Sequence, residues 1–135
     1  MKDTLSVGLT TKKVITIDEK RTISFMGEEG RVYSTPSMVT DIEYTCHELL
    51  QKHLEEGENS VGTHISVDHV GATVEGDKIE IHVEIESIEG RAVSMTATVR
   101  DSLEKVGLGK HNRFIVNEAK TFDRLKEKRD KIFGN

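Results

Sequence analysis

Between residues 61 and 99, apolar and polar positions alternate with a period of two. Ile79, Ile81, Val83 and Ile85 fall on one face of a strand, with Glu80, His82, Glu84 and Glu86 on the other. Val93, Met95, Ala97 and Val99 repeat the pattern, and Val61, Thr63, Ile65 and Val67 are expected to share a face in the same way. Glu75-Gly76-Asp77 and Glu89-Gly90 mark turns, and a last strand is expected over Lys105 to Asn117. This is the pattern of an antiparallel sheet with one buried face.

Upstream the period changes. Val14-Ile15-Thr16-Ile17 is a short β-branched run and predicts a first strand. Met26 to Arg31 is a polar, glycine-bearing loop. Ser34-Thr35-Pro36 then offers a hydroxyl N-cap followed by Pro at the first helical position, which makes Thr35 the expected cap. Val39, Ile42, Cys46, Leu49, Leu50 and His53 recur at helical spacing, and Glu55 to Ser60 ends the helix with Gly57. In the tail, Lys120 to Phe133, residues Phe122, Leu125, Ile132 and Phe133 form a loose helical stripe, and the basic residues read as a solvated face. The expected architecture is α+β: a long central helix packed on an antiparallel sheet, with a short C-terminal helix, in a single domain of residues 1–135.

Composition adds an expectation about assembly. The chain is 35% hydrophobic, with no Trp and only two Tyr and four Phe. That is lean for a core that must stand alone, so a homo-oligomer is expected. With 19 basic against 24 acidic residues and a net charge of −5, there is no basic footprint for nucleic acid or a membrane. The single Cys46 excludes an internal disulfide and suits a reducing compartment. No apolar leader or span-length run is visible, so the expected location is cytoplasmic.

Three residues could carry chemistry. Glu43 lies four residues after Val39, three before Cys46 and seven before Leu50, on the apolar stripe of the helix. It is either a carboxylate that must find donors or a wet residue at the stripe's edge. Thr35 is either a cap or a nucleophile or positioning hydroxyl. His69 shares the parity of Ile65 and Val67, which turns it inward as a core imidazole or a catalytic one. Glu, His and a hydroxyl meeting under one helix would suit acyl transfer. No metal or other cofactor is expected. His64 and His69 face opposite ways, His47 and His53 are about 120° apart on a helix, and no phosphate-binding loop or dinucleotide glycine pattern exists.

The run V-Y-S-T-P-S-M-V-T-D-I-E-Y-T-C, residues 32–46, resembles the helix start of the fluoroacetyl-CoA thioesterase family of hot-dog enzymes, where a Thr precedes a Glu by the same eight residues. S-V-G-T-H-I-S-V-D-H-V-G-A-T, residues 60–73, is similar to that family's strand from a Gly-Thr pair to a catalytic His. G-L-G-K-H-N-R-F-I-V, residues 107–116, resembles its Gly-x-Gly-x-His-x-Arg strand. The resemblance implies the hot-dog fold and hydrolysis of a small acyl-CoA. It implies Thr35, Glu43 and His69 as catalytic residues, with Gly62, Gly76 and Arg113 near the substrate and a Gly62 backbone N–H as oxyanion donor. It also implies a homodimer joined side by side into one continuous sheet, with active sites at the interface. The segment before the helix is shorter than in the fluoroacetyl enzyme and keeps only Phe25 and Tyr33 as aromatics, so a general or different short acyl group is expected. Two routes stay open: attack by Thr35 assisted by Glu43, with His69 activating the hydrolytic water, or direct activation of water by Glu43 or His69. The alternative functions are a hot-dog hydratase or dehydratase and a non-catalytic acyl-CoA-binding protein.

Overall fold

A computed structural model describes residues 1–134; Asn135, the end of the expected domain, lies outside the described residues. The order is β1 (Thr10–Thr16), β2 (Thr22–Ile23), β3 (Val32–Tyr33), α1 (Thr35–Gln51), β4 (Glu58–His69), β5 (Lys78–Glu89), β6 (Ala92–Arg100), β7 (Lys105–Asn117) and α2 (Glu118–Phe133). Five strands form one antiparallel sheet in the order β1-β5-β6-β7-β4, and β2 pairs with β3 in a two-stranded ribbon. The long helix lies across the sheet, as the hydrophobic spacing requires. Among the described residues, no helix is long and apolar enough to cross a membrane.

The core is the space between α1 and the inner sheet face. Met38, Ile42, Cys46, Leu49 and Leu50 meet Ile79, Ile81, Val83, Val93, Met95 and Val99, all buried. Burial pushes the Cys46 thiol up to about 12. Gly107 lets the helix come close: a Cβ there would stand 2.6 Å from Met38 Sδ.

Several expectations are corrected. The first strand begins at Thr10, because the polar Thr10–Lys13 half still pairs its backbone with Glu84–Ile81. Val61, Thr63, Ile65 and Val67 do not share a face. Gly62 pairs with Arg113 and His64 with Asn112, so Thr63 is an extra residue, a β-bulge. Ser60 and Gly62 therefore face the helix before the bulge, and Ile65, Val67 and His69 after it, while Val61 points outward and is 43% exposed. The helix cap is Ser34, whose hydroxyl accepts the Ser37 N–H at 3.2 Å; Thr35 is the first helical residue and Pro36 the second. The tail helix α2 buries none of its residues.

Candidate active site

Thr35 and His69 meet where the start of α1 crosses the end of β4. Thr35 Oγ1 lies 2.8 Å from His69 Nδ1. Because Ser34 caps the helix, the Thr35 hydroxyl is left for the imidazole. His69 reaches it because the strand parity after the bulge turns it inward, opposite Gly107, where no partner side chain competes for the space. Its Nε2 is buried and has no hydrogen-bond partner among the described residues. Burial holds the His69 pKa below its ordinary value, partly offset by the Gly71 backbone. Both residues line a cavity of about 540 Å³ whose apolar wall includes Ile23, Phe25, Val32 and Val70. Of the two aromatics expected before the helix, Phe25 is 90% exposed at this mouth, whereas Tyr33 is buried beneath it.

A second cluster forms further along the helix. Glu43 is neither buried nor remote: its side chain is 42% exposed at the edge of the stripe, with Oε2 3.4 Å from Arg113 Nη1. Arg113 is buried and held on all sides. Its Nε donates to Ser60 Oγ at 2.7 Å and its Nη2 to the Ser60 carbonyl at 2.8 Å. His111 fixes the remaining arm. Its Nδ1 lies 2.8 Å from the His64 carbonyl, so Nδ1 carries the proton and donates, leaving Nε2 to accept from Arg113 Nη1 at 3.0 Å. Burial and the adjacent Arg113 both lower the His111 pKa, against a raising effect of the His64 carbonyl, which favours the neutral ring. Gly62 lies directly under the carboxylate: a Cβ would stand 2.6 Å from Glu43 Oε2 and 3.2 Å from His111 Cε1. Glu43, Tyr44, His47 and Arg113 line a separate hollow of about 280 Å³.

Thr35 with His69, and Glu43 with Gly62 and Arg113, are thus two groups within one chain. Two helical turns, about 12 Å of rise, separate Thr35 from Glu43. Gly76 joins neither group. It holds the turn before β5 at φ 91° and donates its N–H to the Ile17 carbonyl at 2.8 Å. Among the described residues, no group of three or more His, Cys, Asp or Glu could hold a metal ion.

The buried carboxylate on α1 is Asp41, which the hydrophobic spacing did not single out. It accepts the Tyr33 phenol at 2.6 Å and the Arg21 guanidinium at 3.1 Å. Its spacing of three after Met38 and four before Thr45, both buried, was the available signal. His111 was read only as part of the Gly-x-Gly-x-His-x-Arg run; its spacing of two from Arg113 on an expected strand was the available signal that the two share a face.

This arrangement has relatives. Residues 17–119 match the fluoroacetyl-CoA-specific thioesterase family. Fluoroacetyl-CoA thioesterase of Streptantibioticus cattleyicolor is 29% identical over 135 residues, covering 95% of this chain and 97% of that protein. A solved structure of the fluoroacetyl-CoA thioesterase superposes with a TM-score of 0.84 at 28% identity, covering 93% of this chain and 98% of the other. A thioesterase superfamily member of Thermus thermophilus shares the fold at a TM-score of 0.84 and 24% identity, covering 96% and 98% of the two chains. The helix on its five-stranded sheet is the hot-dog fold, and the chain belongs to the fluoroacetyl-CoA-specific thioesterase family.

Proposed function

We propose that this chain is an acyl-CoA thioesterase, hydrolysing a small acyl-CoA to the free acid and coenzyme A, with Thr35, His69 and Glu43 as its catalytic residues. The observation that carries the reading is the 2.8 Å contact between Thr35 Oγ1 and His69 Nδ1 in the wall of a cavity large enough for a short acyl group. A hydroxyl is a weak nucleophile without a base in hydrogen-bond reach. Within one chain the base in reach is the imidazole, 2.8 Å from the Thr35 hydroxyl. With the ring proton on Nε2, Nδ1 accepts the hydroxyl proton as Oγ1 attacks the thioester carbonyl. The C–S bond breaks, the imidazolium returns the proton to the leaving thiolate, and the freed base activates water against the Thr35 ester. If water attacks directly, the same nitrogen is its base and Thr35 orients it.

Glu43, Gly62 and Arg113 complete the site in a homodimer. β4 is a twelve-residue edge strand whose outer side is unpaired within the chain. Two-fold antiparallel pairing of two such edges runs the Gly62 half of one copy beside the His69 half of the other. The two groups separated in one chain then line one interface, with the Gly62 N–H available to the developing oxyanion. The cytoplasm and a single domain of residues 1–135 remain parts of this proposal. The fluoroacetyl group is not assumed, because a single exposed Phe25 gives the cavity mouth little aromatic cover.

The test is a steady-state panel of acetyl-, fluoroacetyl-, propionyl- and butyryl-CoA, reading free thiol. Thiol release with at least one small acyl group is expected. Binding without release would leave a non-catalytic acyl-CoA protein, and conversion of an enoyl-CoA without thiol release a hydratase.

A further inference from the structure

The catalytic pair is braced from behind by a chain of polar groups that has no part in the chemistry described above. Tyr33 immediately precedes the Ser34 cap, and its buried ring stands edge-on to His69, with centroids 6.1 Å apart at 69°. Its hydroxyl donates to Asp41 Oδ2 at 2.6 Å. Asp41, 5% exposed, is gripped from the other side by Arg21, Nε lying 3.1 Å from Oδ2 and Nη2 3.3 Å from Oδ1. Arg21 also donates to Asp18 at 3.0 Å, and its carbonyl accepts the Ser34 N–H at 2.8 Å. Tyr33, the residue that abuts His69, is thereby tied to α1 through Asp41, and Arg21 is tied both to Asp41 and, by backbone, to the Ser34 cap next to Tyr33.

We infer that Arg21, Asp41 and Tyr33 are positioning residues of the thioesterase reaction, a strut that sets the His69 ring against Thr35. The inference rests on the Thr35–His69 reading given above. A buried carboxylate is expensive unless its lone pairs are satisfied, and a hydrophobic residue at position 41 would fill the same space on the helix stripe without that cost. What a hydrophobic residue cannot do is fix the rotation of the Tyr33 ring. The imidazole has no hydrogen bond at Nε2 to hold it, so its orientation depends on the Thr35 contact and on the ring packed against it. A reacting pair displaced by a fraction of an ångström loses rate, whereas a substrate bound in the open cavity loses little affinity.

The experiment compares the full-length protein with Tyr33→Phe, which keeps the ring and removes the hydroxyl. Asp41→Asn serves as a second variant that keeps an acceptor and removes the charge. Val93→Ala, a core truncation on β6, is the control for lost stability alone. Turnover of the best acyl-CoA is measured together with the pH titration of the His69 ring nitrogens by NMR. In Tyr33→Phe, kcat should fall about tenfold or more with KM within about twofold. The His69 pKa should move toward its ordinary value as the ring loosens and gains water, and Val93→Ala should move neither quantity. The proposal is overturned if kcat and the His69 titration are unchanged in both strut variants. It is equally overturned if only one of the two moves, or if Val93→Ala matches Tyr33→Phe. Should the wild-type protein release no thiol from any acyl-CoA, the thioesterase reading fails, and the His69 titration alone then decides whether the strut holds the ring.

Discussion

Thr35 illustrates how one residue's neighbours decide its role. From the sequence, Ser34 and Thr35 are both eligible caps. The structure gives the cap to Ser34 and turns Thr35 Oγ1 to His69 at 2.8 Å. Thr35→Ala should therefore cost no more than the hydrogen bond to His69, about 1 kcal/mol, while removing the acyl-enzyme route. Thr35→Ser should keep a measurable fraction of the activity. Kinetics with thermal melts of both variants check this, and an alanine variant at full wild-type rate would reduce Thr35 to a bystander. His69 adds a pH dependence of fixed sign. It is a base only when neutral, and burial places its pKa below the ordinary 6.5. The rate should therefore rise with pH through a midpoint below 6.5, and a midpoint above it would contradict the assignment. Linkage has the same sign: a depressed imidazole pKa costs the fold nothing above pH 6.5, and stability is lost as pH falls through the folded-state value. His111, also depressed, adds to that loss. The inward turn of His69 was legible from strand parity alone. Asp41 was not, because a carboxylate is read as solvent-facing unless its phenol and guanidinium partners, 8 and 20 residues away, are already in view.

At the scale of elements, α1, β5 and β6 were readable because each repeats one period long enough to leave a single choice of face. What escaped was local insertion. The bulge at Thr63 carries no glycine or proline of its own; Gly62, just before it, reads as part of the strand. Only the mismatch with β7 exposes it. Its effect reaches the candidate site, since it puts Ser60 and Gly62 on the helix side together with His69 seven residues beyond Gly62. A strict alternation would have put Gly62 and His69 on opposite faces. The ribbon of β2 and β3, two residues each, is too short for any periodicity, yet it carries Tyr33 to the site. The start of α1 gives a clean test at this scale. Ser34→Ala removes the only side-chain cap of the helix and should lower stability by about 1 kcal/mol, within a range of roughly 0.5–2. Because the same turn presents Thr35, activity should fall as well. Chemical denaturation measures the first effect, and equal stability of variant and wild type would show that the Ser34–Ser37 bond contributes nothing.

For the whole molecule, the sheet has two edge strands of unequal length, β1 and β4. β1 is a seven-residue edge carrying Lys12 and Lys13, which discourage pairing, whereas β4 presents twelve residues of free backbone edge with Val61 exposed beside Phe114. A long edge of this kind invites another strand. A dimer joined through β4 is the expected species, and sedimentation at micromolar concentration should show twice the chain mass. A stable monomer would remove the proposed meeting of Glu43 with His69 across an interface. The lean composition pointed the same way, but the edge strand itself could not be located without the strand order, which no periodicity specifies. The tail α2 stands apart from this plan, exposing Phe122, Leu125, Ile132 and Phe133.

The burial of Cys46 on the inner face of α1 has a practical corollary. Thioester cleavage is followed by colouring the released thiol with an aromatic disulfide, which reacts only with thiolate. With its thiol pushed up to about 12, the enzyme's own sulfur stays protonated at pH 8, and it is sealed from the reagent as well. The native protein should add no background colour over an assay, and should take up one equivalent of reagent once denaturant is added. Between those limits the rate of colouring becomes a clock for opening of the core. One reagent would then report both the reaction the protein performs and how often its interior comes apart.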